Sequence, residues 1–167
     1  DGSYCDSTPL TYALQSKKLA AVALIWCERV DCSVEDSLGS SPACLAAQYG
    51  HLGCLAELHD RGVDLSRRCS YGGPPLHTAL DYSPAEVSSW LLTEGNADPN
   101  GLDAMGSSPL YYACDKGRIA IAVLLLELGA VVVNGRWSPL NSAVEREHTE
   151  LIQLLLTTRG FVRVLQW

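Results

Sequence analysis

Residues 41–65 read "SPACLAAQYGHLGCLAELHDRGVDL", and residues 108–130 read "SPLYYACDKGRIAIAVLLLELGA". Laid over one another, Pro42 falls on Pro109, Ala46 on Ala113, Gly50 on Gly117 and Gly62 on Gly129. A Ser before a Pro is a helix start: the hydroxyl can cap free N–H groups, and Pro suits the first helical position. Gly50 and Gly117 fall where a first helix must end in a left-handed turn. A second, more apolar helix follows, and Gly62, Gly95 and Gly129 stop three such helices. The small-Pro-apolar start recurs at Pro9, Pro42, Pro75, Pro109 and Pro139, spaced by 33, 33, 34 and 30 residues. A small residue follows each at a fixed offset: Ala13, Ala46, Ala79, Ala113 and Ala143. Self-similarity at this period is the mark of a repeat architecture.

One helix pair cannot bury its own apolar face, whereas five stacked pairs bury a continuous core. The expected fold is therefore all-α: a solenoid of stacked helix-turn-helix units joined by polar, Gly- and Asp-rich loops. The stretches "TPL" (8–10), "PPLHTAL" (74–80) and "SPLNSAVEREHTELIQLLL" (138–156), with the two quoted above, resemble ankyrin repeats. That resemblance implies one domain over residues 1–167, with repeats at about 3–39, 40–72, 73–106, 107–136 and 137–167, and hairpin-like loops between them. The first repeat lacks the paired helix-ending glycines. The third has Ser83-Pro84 where Gly-His is usual, and the loop after the fourth is short. The missing initial Met and the apolar tail "FVRVLQW" (161–167) are read as a domain excised from a longer chain.

Composition narrows the function. The net charge is −7, which disfavours nucleic acid and anionic membranes as partners. Between Arg68 and Lys116 there are six acids (Asp81, Glu86, Glu94, Asp98, Asp103 and Asp115) and no basic residue. Seven cysteines without a C-x-x-C pair are read as small apolar residues of a reducing, intracellular compartment, cytoplasmic with the nucleus left open.

Residues with reactive groups find structural uses. His51 and His148 occupy the turn before a second helix, His59 is expected on an exposed outer face, and Cys54 and Cys32 fall on core positions. The resemblance puts Cys44 where the family uses His, and gives His77 a hydrogen bond between repeats. Asp115 and Glu145, at equivalent places in adjacent repeats, are read as surface carboxylates rather than a catalytic pair. Asn100-Gly101 reads as a tight turn. No nucleophile with a base beside it is found, so the chain is expected to be no enzyme and to need no cofactor and no metal.

The ankyrin resemblance implies a contact surface on the concave side, built from hairpin tips and the ends of first helices. Transferred position by position, it comprises Tyr4, Leu38, Gln48, Tyr49, Tyr71, Asp81, Tyr82, Met105, Asp115, Lys116, Trp137 and Arg146. Tyr, Trp and Arg are the types that dominate binding energies. With Asp81, Asp103 and Asp115 nearby, the expected partner is a protein or peptide carrying basic and apolar residues, bound more weakly as salt rises. The alternative is a regulatory or substrate-recruiting domain of a larger enzyme whose catalytic part lies outside this chain. A neighbouring domain is expected in either case.

Overall fold

A computed structural model describes residues 35, 39–69, 72–132 and 137–157. Repeat one, the tail, and the expected contact residues Tyr4, Leu38 and Tyr71 lie outside the described residues. Within them the chain forms eight helices in four antiparallel pairs. These are α1 (Pro42–Tyr49) with α2 (Leu52–Asp60), α3 (Pro75–Tyr82) with α4 (Ala85–Thr93), α5 (Pro109–Asp115) with α6 (Ile119–Glu127), and α7 (Pro139–Glu145) with α8 (Thr149–Thr157). First helices stack on first helices, α1 on α3 on α5 on α7. Second helices stack likewise, α2 on α4 on α6 on α8. The core runs between the two rows. Leu45, Leu76 and Leu110 from the first helices meet Leu55, Leu58, Leu91, Ile121, Leu125, Leu151 and Leu155 from the second.

Two of the three Ser-Pro helix starts are capped by the serine hydroxyl. Ser41 Oγ accepts from Cys44 N at 3.3 Å, and Ser108 Oγ accepts from Tyr111 N at 3.2 Å. Ser138, expected to do the same, makes no side-chain cap; its hydroxyl is buried at the head of α7. The small residues act through their backbones as well as their size. Ala46, Ala113 and Ala143 each accept a hydrogen bond from the N–H five residues on, at His51, Arg118 and His148. That bond encloses a left-handed residue at the helix end. Gly50 (φ 76°) and Gly117 (φ 67°) fill this place in two repeats, but Glu147 (φ 59°) fills it in the last. A side chain pays a steric cost there that Gly does not. Glu147→Gly is therefore expected to raise stability by about 0.5–1 kcal/mol, measured by urea denaturation. A loss of stability would mean that the Glu147 side chain contributes more than the backbone conformation costs.

Two turns depart from the expected chemistry. After α4 the left-handed residue is Asn96 (φ 51°), not Gly95. Gly95 is required by proximity instead: a Cβ there would lie 3.0 Å from the Leu91 backbone. After α3 the chain leaves in an extended conformation at Ser83 and Pro84. Ser83 Oγ donates to the Ala47 carbonyl of the preceding repeat. The Ser83 carbonyl accepts from Arg118 Nη2 of the following one at 2.6 Å. The Ser83-Pro84 departure thus exchanges a turn within one repeat for a link across three. Asn100 is likewise a link rather than only a turn. Its Nδ2 donates to Gly129 O at 3.2 Å, and its Oδ1 accepts from Val131 N at 2.8 Å.

Candidate protein-binding face

The inter-repeat loop before α5 lies against two first helices, bonded to His77 of α3 and Tyr112 of α5. The loop at 103–107 closes as a hairpin: Asp103 N donates to Ser107 O at 3.1 Å and Gly106 N to Asp103 O at 3.2 Å. Asp103, expected to supply surface charge, is buried and turned inward. Its Oδ1 accepts from Met105 N and Ser107 N, both at 2.8 Å, and its Oδ2 accepts from the Tyr112 hydroxyl at 2.9 Å. A carboxylate with three donors is a structural anchor, because a buried charge is tolerated only when hydrogen-bonded. This overturns its reading as part of an acidic face.

The other two acids of that face are paired across repeats. Lys116 Nζ lies 2.6 Å from Asp81 Oδ1 and 3.9 Å from Asp115 Oδ2, and Arg146 Nε lies 2.9 Å from Asp115 Oδ1. Ser142 Oγ also reaches Asp115 Oδ1 at 3.4 Å. Repeats three, four and five thus present an alternating ladder, Asp81–Lys116–Asp115–Arg146, instead of a patch of negative charge. Glu145, at the equivalent place in the next repeat, is exposed.

Beside the ladder runs a row of rings. His77 meets Tyr112 edge to face at 5.6 Å, Tyr112 meets Tyr111 at 5.6 Å, and Tyr111 meets Trp137 at 5.5 Å. Such edge-to-face pairs are a preferred arrangement of aromatic rings. Tyr111 and Tyr112 were not among the residues expected on this face, although the "YY" beside Leu110 was the available signal. Burial, the Asp103 hydrogen bond and nearby acids keep the Tyr112 phenol protonated far above its usual range. Burial, then the charges of Asp115 and Glu145, raise that of Tyr111.

Two large side chains at this face are exposed, Tyr82 at 58% and Met105 at 65%. Tyr82 lines a cavity of 40 Å³ together with Gly73, His77, Thr78, Asp81, Asp103 and Tyr112, and Met105 follows in the hairpin that Asp103 anchors. Tyr49 and Gln48 end α1 one repeat away. Tyr49 is half-buried, packed against the core and 6.3 Å from the His51 ring. Trp137 is half-buried at the head of α7. His59 leans edge-on against Trp90 at 5.9 Å, so its ring does more than sit in solvent.

His77 carries the inter-repeat bond that its position implies: Nε2 lies 3.2 Å from Ser107 O. Burial lowers its pKa, although the Ser107 carbonyl and Asp103 act the other way. The unfolded state therefore binds the proton more readily, and stability is expected to fall as pH drops through the unfolded value of 6.5. Melting temperatures measured from pH 8 to 5 should show this loss, with a shallower slope in His77→Gln. An identical slope would assign the effect to another group.

The cysteine reading needs correction. Cys44 and Cys69 form a disulfide, with Cα atoms 5.6 Å apart. They are not merely small apolar side chains. Cys54 and Cys114 do behave so: both are buried free thiols, and burial pushes them up to about 11 and about 12. No helix among the described residues is long and apolar enough to cross a membrane.

Comparison with known proteins agrees with this repeating geometry. The model of the ankyrin-repeat family, which describes three copies, matches residues 10–103 and 85–163. The chain belongs to the ankyrin-repeat family. This ankyrin-repeat chain is 30% identical over 131 residues to the probable 26S proteasome regulatory subunit p28 of Saccharomyces cerevisiae, covering 75% of this chain and 57% of that protein. It is 37% identical over 87 residues to ankyrin repeat and SOCS box protein 11 of Mus musculus, covering 51% and 27%. It is 29% identical over 97 residues to the mouse nuclear factor NF-kappa-B p105 subunit, covering 58% and 10%. The ankyrin-repeat chain thus spans less than two thirds of each of these relatives. Ankyrin repeats are in general protein–protein interaction modules.

Proposed function

We propose that this ankyrin-repeat chain is a non-catalytic module that binds a protein or peptide segment across the hairpin and first-helix side of repeats two to five, its concave face. The observation that carries the reading is the exposed Tyr82 on a cleft lined by His77, Asp103 and Tyr112, with exposed Met105 on the hairpin that Asp103 holds. Large apolar side chains set beside rigid, hydrogen-bonded polar groups are the usual composition of a binding hot spot. Gln48, Tyr49, Asp81, Asp115, Lys116, Trp137 and Arg146 complete the surface, joined by Tyr111. Asp115 and Glu145 do not act as an acid–base pair in this reading, since Asp115 is committed to Arg146 and Ser142.

The charge ladder refines the partner. Asp81 and Asp115 already hold Lys116 and Arg146, so a basic group on the partner gains little unless it displaces one of them. The partner is therefore chosen first for apolar or aromatic side chains that pack on Tyr82 and Met105, and salt sensitivity is secondary.

A phage-displayed random peptide library, panned on the folded domain, tests the site. Selected peptides are expected to lose about tenfold or more in affinity on Tyr82→Ala with Met105→Ala, a change of ~1.4 kcal/mol or more. Leu128→Ala, on the second-helix side, should leave them unchanged. Peptides that bind the double variant as tightly as the parent would place the binding surface elsewhere.

A further inference from the structure

Cys44 and Cys69 occupy a place where the next repeat uses polar bonds. Cys44 is the third residue of α1, as His77 is of α3, and Cys69 N donates to Gly73 O as Asp103 N does to Ser107 O. In the later repeat, His77 ties its helix to the hairpin through Ser107 O, and Asp103 through Tyr112. In the earlier repeat the same two positions are joined by a covalent bond closing a separation of 25 residues. The earlier turn otherwise holds itself together by local bonds. Cys69 N donates to Gly73 O and Gly72 N to Cys69 O, both at 2.8 Å, and Arg68 Nη1 reaches Gly72 O at 3.2 Å.

Both sulfurs sit beside hydroxyl donors. Ser41 Oγ lies 3.2 Å from Cys44 Sγ, and Thr78 Oγ1 lies 3.5 Å from Cys69 Sγ. A donor beside a sulfur favours the thiolate that leaves when a disulfide is opened. Cys54 and Cys114, in apolar surroundings, have thiols raised by burial and so make poor competitors for exchange.

We propose that Cys44–Cys69 is a thiol–disulfide exchange site, a clasp that small-molecule thiols open and close, and that its state sets how firmly Gly72 and Gly73 are held to Cys69. In the opening step a thiolate attacks Cys69 Sγ. The S–S bond breaks and its electron pair passes to Cys44 Sγ, beside the Ser41 hydroxyl. A second thiolate then attacks the small-molecule sulfur of the mixed disulfide; that S–S bond breaks, releasing the oxidised thiol dimer and the Cys69 thiolate. Water supplies the protons lost from the attacking thiols back to the two cysteines. The protein disulfide is reduced by two electrons, and two small thiols are oxidised. Cys44 and Cys69 are both nearly inaccessible, so exchange waits on local opening around the two sulfurs and is slow.

Gly72 packs tightly against Ala104 of the neighbouring hairpin, where a Cβ on Gly72 would lie 2.4 Å from the Ala104 side chain. Ala104 adjoins Met105, so loosening one turn reaches the proposed binding face. This last consequence rests on that reading of the face; the clasp itself does not.

The test is amide exchange followed by NMR on the protein equilibrated with oxidised or reduced glutathione. On reduction, protection at Cys69 and Gly72 should fall by about tenfold or more, while amides within α5 and α6 keep theirs. Cys44→Ser with Cys69→Ser should match the reduced protein. Cys44→His with Cys69→Asp, which installs the residue types of the next repeat, should respond to neither form of glutathione. Unchanged protection at Cys69 and Gly72, with reduction verified by alkylation of both cysteines, would overturn the proposal. So would finding both thiols free and alkylated in oxidised glutathione. Neither readout involves a partner, so failure of the peptide-binding test leaves this one standing, and the reverse holds.

Discussion

Leu91→Ala is expected to lower the unfolding free energy by about 3 kcal/mol or more, within the ~2–5 kcal/mol spread for truncating a buried leucine. Leu91 is fully buried in α4, which packs against α3 of its own repeat and against α2 and α6 of its neighbours. The cost of such a change depends on how far the surroundings can collapse. Here they have little room. Gly95 already sits so close that a Cβ would be 3.0 Å from Leu91 Cα and carbonyl, and the Leu91 carbonyl is held by Ala97 N at 2.9 Å. A solenoid offers no second core to share the loss, since each repeat leans only on its neighbours. Against a typical total of ~5–15 kcal/mol, the change is a large fraction. Urea denaturation followed by circular dichroism measures it. Leu128→Ala, at an exposed leucine, should stay within about 0.5 kcal/mol of the parent. A Leu91→Ala effect below ~1 kcal/mol would show that the second-helix row is not packed as described.

Gly72→Ala is expected to cost about 2 kcal/mol or more, for two separable reasons. Gly72 holds φ at 84°, where a side chain costs ~1–2 kcal/mol. Its added Cβ would also meet the Ala104 Cβ at 2.4 Å, so two turns would have to part. The Ala104→Gly change isolates the second term. Alone it should cost ~1 kcal/mol or less, because Ala104 is exposed. Combined with Gly72→Ala it should recover the collision term and leave the backbone term, giving a favourable coupling of about 0.5–3 kcal/mol in a double-mutant cycle. Strict additivity would mean that the two turns do not touch in solution.

How the sequence could be read follows from the range of each interaction. The proline register, the Ser41 and Ser108 caps and the left-handed glycines Gly50 and Gly117 involve residues within one turn of each other, so spacing alone exposes them. His77 was placed correctly because its partner lies a fixed repeat away. Ser138 misled because a cap depends on where the hydroxyl points, and residue type does not set that. Gly95 was read as a helix stop, and it does follow the end of α4; yet it is Gly because Leu91 lies against it, while Asn96 takes the left-handed dihedral.

The candidate face shows the same division more sharply. Tyr82 and Met105 could be placed as exposed from repeat position, because one closes a first helix and the other sits at a hairpin tip. The acids could not. Six carboxylates without a lysine or arginine among them look like a negative surface, but the nearest bases in space come from the next repeats. Asp81 finds Lys116, Asp115 finds Arg146, and Asp103 turns inward to Tyr112.

By itself, then, the amino-acid order determined the period, the helix pairs, the turn between them and the all-α stack, because each unit carries its own caps, breakers and apolar stripe. The tertiary structure decided which charges cancel, that Cys44 meets Cys69, and that Ser83 bridges its two neighbours. Those depend on the offset with which one repeat lies on the next. That offset is set by packing across the whole interface, and no single repeat contains it.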